Sequence, residues 1–449
     1  MILKNKILVT SMIALMTVIG TSCDDFLDVQ PHGKLIPKTS EQLRAMLTAS
    51  YDAVPDVRSL ASLRSDEMVM NPYGWSPEAV KDIFIWNDAA PDPSTQPFPY
   101  ESFYKIIFNV NYILQTIKTE EIKSDEEQDE VNQIKGEAYA LRAYMYFYLV
   151  NTYADPYGKE PPTSQKGVPI VPEKLNLDSE YYPNTVAEVY TQITDDLEKS
   201  LDLLNIDEYE KGYNYRFSKV SAFGFAARVY QNMNKWTEAL KYANEALKIN
   251  SSLVDLNNLS DNTPAPFNYQ SVENVLAMEN TFNGTIAFEV KVSNELLQAY
   301  DQTNDLRFKT FIKYGSSVAL STGDADKVSM RTAEFYLIKA EALAELDKPA
   351  EAGNTLLELL KNRLTPSLYE QTSTDLQNKN AEQMIEIILN ERFKELPFQG
   401  FRWYDLRRTT RPAITHEYDG ETYTLKKDDP GYTVPFPQEA VIANPHLAN

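Results

Sequence analysis

The sequence predicts a mostly α fold: a tetratricopeptide-like helical-repeat scaffold, with long loop-rich insertions and a few short strands. Three observations lead there. Several long segments carry apolar residues at helical spacing, and one of them, 128–153, carries them on both faces and so must pack on both sides. Segments 218–250 and 331–363 align with each other at an offset of 113 residues. Pro- and aromatic-rich stretches, above all 71–100, separate the helical ones.

Composition narrows the function classes. The chain of 449 residues has 43 Lys+Arg against 65 Asp+Glu, a net charge of −22. That surplus argues against a nucleic-acid partner, which needs a basic face to neutralise phosphates. A single Cys excludes an intramolecular disulfide framework and any Cys-based metal cluster. Three scattered histidines, His32, His416 and His446, leave little for a His-built zinc site or a His-relay nucleophile. Aromatic content of 11 %, led by 28 Tyr, is the unusual feature.

Taken in order, residues 1–22 read as a secretory signal. Lys4 and Lys6 precede an uncharged apolar run from Ile7 to Ile19, shorter than the roughly 20 residues that span a bilayer. Gly20-Thr21-Ser22 then leads into Cys23, which resembles the lipobox of bacterial lipoproteins, so Cys23 is the expected lipid attachment point. Without residues 1–22, 41 cations face 65 anions, a balance of −24. Acyl chains rather than a basic patch must therefore hold the protein to a membrane.

Residues 41–49 predict a helix with Ser40 as N-cap. The segment 71–100 has Pro at 72, 77, 91, 93, 97 and 99 and is neither a long helix nor a central strand. Residues 101–118, 128–153 and 184–204 predict helices, the second apolar on both faces. In the two aligned segments Ala227 meets Ala340 and Ala239 meets Ala352. Small residues at such points let antiparallel helices approach, and each pair must stack on a neighbour. Residues 264–330 are rich in Asn, Ser, Thr and Gly, with one candidate strand at 285–292. The end, 411–449, reads as largely irregular. The acidic run 125–130 suits a solvated helix start better than a calcium site; no cofactor and no metal is expected. The mature chain reads as one domain, 23–449, with its first repeats in 23–230 and a C-terminal part in 231–449.

The densest charged segment is 390–408, NERFKELPFQGFRWYDLRR. Its charges alternate with Phe393, Leu396, Phe398, Phe401, Trp403 and Leu406, a pattern that suits a helix end and turn pinned by ion pairs rather than a catalytic carboxylate pair. It resembles the C-terminal signature of the SusD/RagB family of outer-membrane nutrient-binding lipoproteins, through Glu391, Arg392, Glu395, Leu396, Phe398, Gly400, Arg402, Trp403, Asp405, Leu406 and Arg408. Gln399 departs from the family's usual Glu, which weakens one ion pair. Cys23-Asp24-Asp25-Phe26-Leu27-Asp28, Leu141-Arg142-Ala143-Tyr144 and Asn304-Asp305-Leu306-Arg307 resemble other family segments, so the likeness covers essentially the whole mature chain.

The resemblance implies about four helix pairs supporting a variable ligand-binding face. It also implies a SusC-like TonB-dependent transporter as partner, display on the cell exterior through the lipid at Cys23, and no catalysis. Consistent with the last, the chain carries no zincin, nucleophile-elbow, P-loop or EF-hand pattern. The expected function is binding of an oligomeric nutrient, most readily a glycan, and its delivery to that transporter. The alternatives are oligopeptide uptake on the same fold, a protein-interaction scaffold without small ligand, and, least supported, a surface hydrolase.

Ligand residues do not follow from the signature and must be argued from chemistry. Sugars offer apolar C–H faces flanked by hydroxyls, which match flat aromatic rings beside amides, carboxylates and Arg. The segment 64–100 offers Arg64, Asp66, Asn71, Tyr73, Trp75, Trp86, Phe98 and Tyr100, with Trp75 the first choice. Phe267, Tyr269 and Phe282 are further candidates. Trp86 also suits the core, and Trp236 and Trp403 fall inside structural patterns.

Overall fold

The computed structural model describes residues 36–117, 124–158, 161–174, 180–260, 262–282, 284–320 and 324–448. The signal segment and Cys23 lie outside them. The main body, Thr39–Asn449, is mostly helical, as the sequence predicts. Its long helices are α1 (Ser40–Asp52), α2 (Glu101–Ile117), α3 (Asp125–Tyr153), α4 (Val186–Leu203), α5 (Lys219–Asn232), α6 (Trp236–Ile249), α7 (Thr332–Glu345), α8 (Pro349–Leu360) and α9 (Ala381–Glu395).

Local chemistry fixes where they begin. Thr39, Thr185 and Asn380 form capping boxes with Gln42, Glu188 and Gln383, each satisfying orphan amide donors of the first turn. The cap of α1 is therefore Thr39, one residue before the expected Ser40. Ser124 caps α3 by accepting from Glu127 N, so the acidic run opens a helix.

The helices stack in sequence order. α1 and α3 pack on α2, α4 on α3, α6 on α5 and on α7, and α8 and α9 on α7. The 113-residue repeat is physical. Ala227, Ala340, Ala239 and Ala352 are all buried. Each first helix of the pair ends in a left-handed residue, Asn234 (φ 55°) and Asp347 (φ 59°). Beyond it Lys235 N donates to Tyr230 O and Lys348 N to Leu343 O, both at 2.9 Å. Both turns thus close with the same C-terminal hydrogen-bond pattern. Gly224 on α5 lies where a Cβ would sit 2.1 Å from the ring of Phe335 on α7, so only Gly permits that approach.

Among the described residues, eight short strands, β1 (Met68–Met70), β2 (Asn274–Leu276), β3 (Val290–Val292), β4 (Ile312–Lys313), β5 (Ser317–Val318), β6 (Met330–Arg331), β7 (Ile414–Tyr418) and β8 (Glu421–Leu425), pair two by two and antiparallel. Two expectations are corrected here. The candidate strand 285–292 is a strand only at Val290–Val292, preceded by a helical turn at Gly284–Ala287. The tail holds the β7–β8 hairpin, with Ile414 opposite Leu425 and both in the core.

The signature segment is the ionic centre of the fold. The carboxylate of Glu395, at the end of α9, meets Arg363 Nε at 3.0 Å, Arg331 at 3.1 Å and Arg307 at 3.6 Å, all four side chains buried. Glu273 completes it, 2.9 Å from Arg331 and 2.7 Å from Arg363. Asp405 joins Arg392 and Arg408, and Arg408 reaches Glu341 on α7. Gln399 accepts from Arg331 Nε at 3.0 Å, a hydrogen bond from a charged donor to a neutral amide where a Glu would make an ion pair. Gly400 has φ 70°, and a Cβ there would fall 2.4–2.8 Å from Arg58, so the turn requires glycine.

One buried carboxyl carries a pH signature. Burial pushes Glu67 up to about 8, with nearby Asp66 adding to the shift; Phe398 N donates to it at 3.0 Å. The folded chain therefore keeps a proton that the unfolded chain releases near 4.5, and stability falls as pH rises between those values. Glu67→Gln keeps the acceptor and removes this dependence. Thermal melts should show the variant more stable than the parent at pH 8 by about 1–3 kcal/mol and little different at pH 4.5. Parallel pH profiles for the two proteins would contradict it.

Candidate ligand-binding site

Strands β1 and β3 pair with Met68 opposite Val292 and Met70 opposite Val290. Met68, Met70, Val290 and Val292 are buried, which fixes this pair on the body. Past β1 the ladder continues through Asn71 N donating to Glu289 O at 2.7 Å, and the chain then turns. Asn71 holds the turn on both sides. Its Nδ2 donates to Phe288 O at 2.9 Å and its Oδ1 accepts from Tyr73 N at 3.2 Å, an Asx-type closure.

The next three residues rest on one carboxylate. Glu289 is 2 % exposed, and its Oε1 accepts from Trp75 N at 3.0 Å and Ser76 N at 2.9 Å. Charge-assisted bonds of this kind are the stronger ones. A Cβ on Gly74 would sit 2.1 Å from Glu289 Oε2, so Gly74 is there for the close approach of that carboxylate. The consequence is an aromatic platform. The Trp75 ring stacks on Phe288 with centroids 5.1 Å apart and planes 4° from parallel. Trp75 is nevertheless 81 % exposed, Phe288 55 % and the neighbouring Tyr73 82 %. Large apolar rings stacked in water have an unused binding surface. The β4–β5 hairpin joins the same strand through Val292 N donating to Ser316 O at 3.0 Å. Its turn carries Tyr314, 96 % exposed.

Of the sequence candidates, Asn71, Tyr73 and Trp75 come together here. The remainder do not. Arg64 is fully buried, paired with both Asp88 oxygens at 2.7 and 2.8 Å, bonded to Gly431 O and lying over the rings of Trp403 and Phe98. Asp66 forms a two-pronged pair with Arg402, both contacts 2.7 Å. Both are ties between distant parts of the chain rather than groups turned to a ligand. Trp86 stacks on His416 and its indole donates to Arg64 O at 3.2 Å. Phe98 and Tyr100 pack against the core, where burial pushes Tyr100 up to about 12. Phe267 and Phe282 are buried against Phe311 and Phe398. Tyr269 lines a separate cleft beside α1. Trp403 is buried on Tyr432 at 4.9 Å, and Trp236 packs half-buried on the core.

Sequence reasoning missed Phe288. It falls inside the alternating run 285–292, where an aromatic reads as an ordinary strand residue. Its partner Trp75 is 213 positions away, and no local pattern links the two.

Residues 25–231 match the model of a family described as SusD-like, starch-binding and associating with the outer membrane. A SusD-like protein of Formosa agariphila is 25 % identical over 486 aligned positions, covering 90 % of this chain and 92 % of its own. A SusD superfamily crystal structure from Bacteroides thetaiotaomicron matches with a TM-score of 0.76 at 20 % identity, over 91 % of this chain and 98 % of that one. A laminarin-binding SusD-like protein matches with a TM-score of 0.60 at 19 % identity, over 83 % and 92 %. No described helix is long and apolar enough to cross a membrane.

Proposed function

We propose that this chain, whose residues 25–231 match the SusD-like family model, captures a glycan on the Trp75–Phe288 platform and passes it to a SusC-like TonB-dependent transporter. The family is one of binding proteins rather than enzymes, and the mechanism read here is binding alone. Lipid at Cys23 holds the protein on the outer membrane, facing the cell exterior.

The observation that carries this reading is a stacked aromatic pair left open to solvent although its backbone is fixed by a buried carboxylate. A pyranose lays its C–H face on such a ring and keeps its hydroxyls for polar groups at the edge. Because the platform is pre-set, little ordering cost opposes binding. The laminarin-binding neighbour and the starch-binding family description supply the first two glycans to try. Residues 24–449, made without Cys23, are titrated with laminarin and with soluble starch. Saturable binding of at least one, weakened by Trp75→Ala, supports the reading; binding of neither, or binding indifferent to Trp75, removes it.

A further inference from the structure

We infer that the cleft between α1, the turn at 212–215 and the segment 269–278 is a second, independent saccharide site, sized for a short neutral oligosaccharide. It shares no residue with the Trp75 platform and does not depend on it.

The cleft is about 670 Å³, within the roughly 300–1,000 Å³ of small-molecule sites. Its floor is the outward face of α1, where Ala45, Thr48, Ala49 and Asp52 follow one another at helical spacing. The two alanines leave room for a ligand to lie against the helix. The facing wall carries the rings of Tyr215 and Tyr269 with Met278. Tyr215 is held edge-on to the buried Tyr51 at 5.8 Å.

This wall is built before any ligand arrives. Asn214 Nδ2 donates to Tyr269 O at 2.9 Å and Asn274 O at 3.1 Å, and its Oδ1 accepts from Gly212 N at 3.1 Å. One amide thus ties the 212–215 turn to the 269–274 loop. Arg216 anchors the turn from behind on Glu137 at 2.8 Å.

What faces the space selects the ligand. Tyr269 N and O, Asn214 O, Ala277 N and Met278 N are all paired within the protein, so an extended peptide would find few backbone partners. The side chains of Thr48, Tyr215 and Asp52 have no polar partner among the described residues. They offer two hydroxyls and a carboxylate beside two aromatic walls. One carboxylate, Asp52, and one ammonium, Lys327, line the cleft, which leaves no charge excess to recruit an ionic ligand. Hydroxyl-bearing, flat-faced and uncharged describes a short oligosaccharide.

The test uses soluble residues 24–449 carrying Trp75→Ala, titrated calorimetrically with maltotriose and with laminaritriose. Binding of at least one should persist in this background. Adding Ala49→Trp, at an exposed position and with circular dichroism checking that the fold is intact, should weaken that binding at least 10-fold. Tyr215→Phe, which removes only a hydroxyl, should weaken it about 3–10-fold. No binding in the Trp75→Ala background, or binding that ignores Ala49→Trp, overturns the second site. In the parent chain, a loss caused by Ala49→Trp but not by Trp75→Ala would leave the cleft standing and remove the platform; the reverse would do the opposite.

Discussion

Glu395→Ala costs the chain at least about 3–5 kcal/mol of stability, or prevents folding altogether. Glu395 is fully buried, and its carboxylate neutralises Arg363, Arg331 and Arg307 together. Without it, Glu273 still serves two of those guanidinium groups, and Asp305 and Glu391 the third, but Glu391 is shared with Lys394, so four cations face three carboxylates and positive charge is left over where water cannot reach. Burial works against the ionised form of Glu395, but Arg363, Arg331 and Arg307 outweigh it and hold its carboxyl below the usual range. The stabilisation is therefore complete above the ordinary Glu range and is lost as pH falls below that, through the lowered range of the folded carboxyl. Glu395→Gln, which keeps the volume and removes the charge, should also be strongly destabilised. Urea unfolding followed by far-UV circular dichroism measures both; a change under about 1 kcal/mol would show that the cluster is not what holds α9 to the turn below it.

Trp75→Ala acts on the other quantity. It should weaken glycan binding by about 30-fold or more, the roughly 2 kcal/mol of a central aromatic contact, and change stability by less than about 0.5 kcal/mol. The separation follows from exposure. Trp75 is 81 % exposed and, among the described residues, its ring stacks on Phe288 alone, so the fold loses little when it goes. The backbone of 75 and 76 stays on Glu289, so the neighbouring Tyr73 keeps its support. A fall in stability matching the fall in affinity would mean Trp75 is a structural residue.

These two residues also mark where the sequence is readable. Glu395 lies in a dense local pattern, and alternation of charges with Phe393, Phe398 and Trp403 is enough to assign a pinned helix end. The same holds for the repeats, whose turns at Asn234 and Asp347 sit 113 positions apart with the same hydrogen bonds. The binding face is less readable because its decisive contacts are long-range. Arg64 and Asp66 have the chemistry of a sugar site, and nothing near them in the chain discloses Asp88, Gly431 and Arg402 as partners. Conversely, Phe288 and Glu289 make Trp75 a platform from 213 and 214 positions away. Composition flagged the aromatic loop; only the fold decides which of its rings stay in water.

The most direct test of the central claim follows tryptophan emission while the soluble chain is saturated with a glycan that binds it. Trp86, Trp236 and Trp403 are half-buried or buried, so the ring whose surroundings can change most is Trp75. A sugar face laid on it replaces water, and the emission should shift to the blue. In Trp75→Phe, which keeps an aromatic surface over Phe288, binding should persist and the shift should vanish. Saturation without any shift in the parent chain, or the same shift in Trp75→Phe, would contradict a glycan stacked on this platform.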